Sequence, residues 1–191
     1  TPTIEGFSAV DEEMKISDKR RCYVRCPDCD EAQTLDWQNV EWISEASTTH
    51  PVYGNHQPET ARYRCEACGT LWTDHQKNQA VRKCEWRATA EFSGVAGFDL
   101  AGGGELYSTL AESRMEVLVR RYLEAKHDMA QGKPDKLIEF YNGTLAKTWR
   151  LKADAPEVDA LVERVADYAS WTCPAGGLVL VGSVDVQRGG E

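Results

Sequence analysis

Apolar positions recur in two different periods along this chain. In the C-terminal half, Met115, Leu118, Val119, Tyr122 and Leu123 fall on one face at helical spacing, behind a Ser113-x-x-Glu116 capping box. The pattern predicts an amphipathic helix over 113–129, ended by Gly132 and Pro134. Pro134 suits the first turn of a second helix, with Leu137, Ile138, Phe140 and Tyr141 for burial. Pro156 opens a third, lined by Val158, Leu161, Val162, Val165 and Tyr168. The N-terminal half instead gives short extended pieces. These are Arg21 to Val24, Gln33 to Trp37, Val40 to Ile43, Ala61 to Cys65, Leu71-Trp72 and Glu85 to Ala90. Asp11 to Met14 suits a short helix, and Asp74 to Cys84 a polar one with Thr73 as N-cap. Residues 44–60 are polar and read as a loop, and Gly94 to Gly104 reads as a flexible connection. Gly102 to Gly104 lack the Lys-Ser/Thr of a phosphate loop and the spacing of a dinucleotide fingerprint. Leu178 to Gln187 is a nearly continuous apolar run, as in a strand buried on both faces.

The extended half carries the chemistry. Cys26-Pro27-Asp28-Cys29 and Cys65-Glu66-Ala67-Cys68 are two Cys-x-x-Cys units, each entered by a short strand. Two such knuckles supply four thiolates to one tetrahedral zinc ion. Gly69 follows the second knuckle where the turn takes positive φ, and Asp30 holds the matching place in the first. The loop 44–60 lengthens the usual zinc-ribbon spacing. Two other readings of these cysteines stay open, a redox Cys-x-x-Cys and a disulfide framework, although neither pair sits in a βαβ setting. Cys22, Cys84 and Cys173 are single and read as small buried or surface thiols. His50, His56 and His75 are possible substitute ligands, none at knuckle spacing.

The rest of the composition narrows the class. The 191 residues are 41% apolar and 28% charged, an ordinary globular balance, and no run is long enough for a membrane helix. A net charge of −9 is not the footprint of a dedicated nucleic-acid binder. Basic clusters at Lys19 to Arg21 with Arg25, Arg62 with Arg64, and Arg82-Lys83 with Arg87 flank the cysteines, as one positive face or as solvated surface. The chain opens on Thr1-Pro2 without methionine or signal peptide, which suggests an excised piece of a longer, intracellular protein. Asn142-Gly143-Thr144 matches a glycosylation pattern by chance in that setting. Asp185, inside the last apolar run, is costly to bury without a partner or a metal. It is the one candidate catalytic residue, against an acid at an exposed strand end.

These stretches, in this order, resemble the large terminase subunit of lambda-like tailed phages, which joins a DNA-packaging ATPase to an RNase H-like nuclease. The resemblance rests on Thr1 to Ser8, both knuckles with their preceding tyrosines Tyr23 and Tyr63, and Glu85 to Ala90. It continues through Gly97-Phe98, Leu106-Tyr107-Ser108, Leu123 to Lys126, Asn142 to Trp149 and Val184 to Gln187. Cys84 and Ala146 stand where glycine is common in that family, and Ala101 to Glu105 is looser than usual. No Walker A lysine is present, and no acids follow Asp185 to complete a nuclease site.

The resemblance implies an α+β chain: a small zinc-ribbon-like module, a helical region, and one C-terminal strand of an RNase H-like sheet. Residues 1–21 would end the ATPase side and 22–90 form the zinc module with its inserted loop 44–60. Residues 91–175 would be the connection and helices, and 176–191 the truncated first nuclease strand. It further implies a structural zinc on Cys26, Cys29, Cys65 and Cys68, with Asp185 as a Mg or Mn ligand only in the complete nuclease. ATP would serve the parent protein. Double-stranded DNA, the small terminase subunit and the portal would be partners, in the host cytoplasm and without a membrane. The piece itself would be inactive. The rival expectations are an independent zinc-ribbon module that binds nucleic acid or protein, and a thiol oxidoreductase.

Overall fold

A computed structural model of the chain describes residues 9–149. Helix α1 (Ala9–Lys15) leads into β1 (Arg20–Arg25), where Cys22 and Val24 are buried and Arg21 and Arg25 exposed. This alternation is the period of a strand with one face on the core. β2 (Ala32–Gln33) returns antiparallel, with Val24 opposite Gln33. The return is shorter than the extended run to Trp37 expected from sequence. Asp36 accepts a hydrogen bond from the Gln38 amide at 2.9 Å and turns the chain into a 3₁₀ turn, Trp37–Asn39.

β3 (Val40–Ile43), β4 (Gln57–Arg64) and β5 (Leu71–Trp72) form an antiparallel three-stranded sheet with β4 in the middle. β4 starts at Gln57, so the inserted loop is shorter than the expected 44–60. The register shifts between Glu41 and Ile43, where the Ile43 amide donates to the Thr60 hydroxyl at 2.9 Å. α2 (Asp74–Arg82) begins in a complete capping box of Thr73 and Gln76. β6 (Glu85–Arg87) pairs antiparallel with β1, and β7 (Phe98–Asp99) pairs with β1 in parallel.

α3 (Met115–Ala130) covers the second sheet with Met115, Leu118, Val119 and Leu123 buried, as the helical spacing predicts. Its expected capping box does not form. Ser113 sits in a 3₁₀ turn, Ala111–Ser113, and donates to Glu105, while Glu116 pairs with Arg120. Asp74 of α2 supplies the cap instead, accepting the Met115 amide at 3.0 Å. Lys77 of the same helix is buried and donates to the Ser108 carbonyl at 3.0 Å. Burial pushes its pKa down, and Asp74 partly offsets the shift. α4 (Asp135–Glu139) starts after Pro134 and runs into one π turn, Phe140–Thr144.

One aromatic cluster joins the two halves of the chain. Trp37 packs on Tyr122 and Phe140 with ring centroids 5.5 and 5.2 Å away, and Trp42 lies 6.0 Å from Trp37. Edge-on pairs of this kind add about 0.5–1.5 kcal/mol each beyond their burial.

The segment Gly102–Gly104, expected to be flexible, is a packed turn. The Gly102 carbonyl accepts the Trp37 amide, and the Gly102 amide donates to the Leu145 carbonyl, both at 2.9 Å. A Cβ on Gly104 would meet the Thr144 carbonyl oxygen at 2.0 Å, and one on Gly103 the Leu35 carbonyl at 2.4 Å. Gly103 and Gly104 are there for close approach of backbone to backbone, and Gly102, at φ 94°, makes room for the Asp36 carboxylate.

Ala146 takes φ 53°, a left-handed conformation that costs an L-residue about 1–2 kcal/mol. Ala146→Gly is expected to stabilise the chain by about 0.5–1 kcal/mol, the strain relieved less the entropy glycine loses on folding. A rise in the urea midpoint at unchanged slope is the readout. Cys84, the other departure from glycine, is not among the residues with positive φ.

Candidate metal centre

Two hairpins deliver the four sulfurs. In the first, the Cys26 amide donates to the Glu31 carbonyl at 2.9 Å and the Asp30 amide to the Cys26 carbonyl at 3.1 Å. In the second, the Cys65 amide donates to the Thr70 carbonyl at 2.9 Å and the Gly69 amide to the Cys65 carbonyl at 3.0 Å. The two knuckles have the same backbone. Asp30 and Gly69 hold φ 58° and 75°, the positive values the sequence positions require. Arg25 steadies the costlier of the two turns through the Asp30 carbonyl and carboxylate, at 3.1 and 3.2 Å.

All four sulfurs lie within 4.8 Å of one another. Cys26 Sγ is 3.7 Å from Cys68 Sγ, and Cys29 Sγ is 3.9 Å from Cys65 Sγ. A zinc tetrathiolate with bonds of about 2.3 Å has sulfur–sulfur edges of about 3.8 Å. A disulfide places its sulfurs about 2.05 Å apart, and the four are free thiols here. Cys26 and Cys65 are buried, while Cys29 and Cys68 face solvent.

The thiols compete for charge. The Thr70 hydroxyl and amide bring Cys68 down to about 6. The Glu31 amide favours the Cys29 thiolate, but burial and the three neighbouring thiols outweigh it and push Cys29 up to about 12. A divalent cation removes this conflict by holding all four as thiolates.

The second knuckle is also held from the side. Gln33 Oε1 accepts the Glu66 amide at 2.9 Å, and Asn39 Nδ2 donates to Glu66 Oε1 at 2.7 Å. These supports have no spacing signature in the sequence. Among the described residues the four cysteines are the only such cluster, and His50, His56 and His75 stay apart from it. His50 stacks on Tyr53, His56 accepts from Trp42 and His75 pairs with Gln79.

Cys22 of β1 and Cys84, just before β6, read as unrelated single thiols, are neighbours. Burial, with Cys84 as neighbour, pushes Cys22 up to about 12, which makes it inert. Several members of the basic clusters around the knuckles are paired locally. Arg21 pairs with Asp99, Arg25 with Asp30, Arg64 with Glu41 and Arg87 with Glu85. Asp185 and Cys173, with the expected third helix and the apolar run 178–187, lie outside the described residues.

With this geometry in view, comparison with protein families decides the lineage. The family described as phage terminase large subunit gpA, ATPase domain, matches residues 1–86. That described as terminase large subunit gpA, endonuclease domain, matches residues 95–190. The chain belongs to the phage terminase large subunit gpA family. Searches of curated proteins and of solved structures return no match. The terminase large subunit is an enzyme with an ATPase and an endonuclease domain, acting on DNA in a packaging complex. No helix among the described residues is long and apolar enough to cross a membrane.

The gpA match also reframes the fold. The ATPase match ends at Trp86, inside β6, and the endonuclease match begins at Val95, just before β7. β1 therefore pairs with a strand from each. Tyr107, on the endonuclease side, accepts the Leu35 amide at 2.7 Å and donates to the Cys22 carbonyl at 3.0 Å. Residues 9–86 of the first match and 95–149 of the second lie in one compact unit.

Proposed function

We propose that this chain is the zinc-bearing junction of a DNA-packaging terminase large subunit, joining the ATPase motor to the metal-dependent endonuclease. The observation that carries it is the four-sulfur cluster, whose edges suit a tetrahedral zinc ion, set in a unit built from both matched regions. Zinc supplies no reaction here. When bound, it draws Cys26, Cys29, Cys65 and Cys68 into one cross-link between the two hairpins.

The module spans 22–90 with its inserted loop, and its core is completed from outside that range by α3 and the turn at Gly102–Gly104. An independent zinc-ribbon module is the weaker reading for that reason. Residues 1–21 end the motor side. The nuclease is RNase H-like, residues 176–191 supply its first strand, and Asp185 offers a carboxylate to its Mg or Mn ions. The resemblance at Val184 to Gln187 is what supports this last point. Double-stranded DNA, the small terminase subunit and the portal are the partners in this reading.

Elemental analysis of protein purified without added metal tests it. One zinc per chain is expected, with none in a Cys26→Ser/Cys65→Ser variant and no ATPase or nuclease turnover in either. Metal-free protein with paired disulfides would refute the zinc reading, and DNA cleavage by the 191-residue chain would refute its inactivity.

A further inference from the structure

Gln33 is a buried side chain on the strand after the first knuckle that reaches the second. It is 6% exposed and stands opposite Val24 in the β1–β2 pair, two residues before Cys26 on the partner strand. Its Oε1 accepts the Glu66 amide, one residue past Cys65. This bond fixes the orientation of the carboxamide, because only the oxygen can accept from an N–H. The other end, Nε2, is buried and has no hydrogen-bond partner. A buried amide N–H without an acceptor is rare, and such a group points to an acceptor that forms in another state of the site. The acceptors that change here are the sulfurs. Four thiolates on one divalent cation carry a net charge of −2, and N–H donors around such a centre spread that charge.

We propose that Gln33 is a positioning residue of this centre. Its Oε1 fixes the second knuckle, and its Nε2–H is held for a sulfur of the four-cysteine cluster. The proposal rests on the reading of the cluster as a metal centre. A glutamine four residues past Cys29, set by strand register beside the second knuckle, thus tunes the sulfurs without touching the metal.

The test uses the 191-residue chain with Co²⁺ as a spectroscopic probe and Zn²⁺ in competition with a chelator. Gln33→Glu keeps an oxygen for the Glu66 amide and removes the donor; Gln33→Met removes both. Each variant is expected to bind zinc about 10–100-fold more weakly than the parent. Gln33→Glu should also shift the sulfur-to-cobalt charge-transfer band to lower energy, since a sulfur without its donor holds its electrons less tightly. A residue that only fills space would leave the band where it is. Unchanged affinity and an unchanged band in Gln33→Glu would overturn the proposal, and this variant decides the matter if Gln33→Met does not fold. A parent chain that gives no tetrathiolate cobalt spectrum would overturn the metal reading beneath it.

Discussion

Gly104→Ala is expected to lower the thermal midpoint by about 10 °C. Two effects add. Gly104 sits at φ 44°, where a Cβ costs about 1–2 kcal/mol. That Cβ also has nowhere to go, meeting the Thr144 carbonyl oxygen at 2.0 Å and the Leu145 backbone at 2.7 Å. Backbone cannot rotate aside as a side chain does, and Leu145 is itself buried at 1% exposure. Overpacking of this sort costs about 1–3 kcal/mol more. The sum of about 2–5 kcal/mol corresponds to about 10 °C at this chain size. Gly132 provides the control, with φ 79° but nothing within 4 Å of its Cβ position. Gly132→Ala should lose only the conformational part, about 1 kcal/mol. Calorimetry of the two variants beside the parent separates the terms, and equal losses would show that the turn at Gly102–Gly104 is not packed as described.

This turn also marks where sequence reading ends. Three successive glycines give the same signal whether the chain must be flexible or must let another backbone approach. Only the positions of Thr144, Leu145 and Leu35, all distant in sequence, separate the two. Local features were legible: the knuckle glycine Gly69 and its counterpart Asp30, the Thr73 cap, and the buried face Met115, Leu118, Val119 and Leu123. Each is fixed by neighbours within a few residues. Features that cross between elements were not. Asp74 caps α3 in place of the nearby Ser113, and Cys22 meets Cys84 only because β6 pairs with β1 in one register. The cysteine spacing gave the four-sulfur cluster, but nothing in the spacing points to Gln33 or Asn39 beside it.

If the four cysteines hold zinc as proposed, stripping the metal is expected to melt residues 9–86 and 95–149, the described parts of the two matches, together. The hairpins that present the cysteines are closed by β2 and β5, two residues each. Pairings that short do not hold unaided, so in the proposed zinc centre four sulfur bonds would keep the knuckles in register. β1, entering the first knuckle, carries β6 from the ATPase match and β7 from the endonuclease match. β4, entering the second, carries α3, and Trp37 and Trp42 lie against Tyr122 and Phe140 beyond it. Loss of register at the sulfurs therefore propagates into the aromatic cluster. At free zinc about 1,000-fold above its dissociation constant, the metal contributes about 4 kcal/mol. Its removal by a chelator should lower the midpoint by about 10 °C. Tryptophan fluorescence and far-ultraviolet dichroism should shift together as one transition. Cys22→Ser, outside the cluster, should keep both the metal and the chelator response, whereas Cys65→Ser should start at the stripped midpoint. A chelated chain whose tryptophan transition stays in place would show that the motor and nuclease sides are held together without the cysteines.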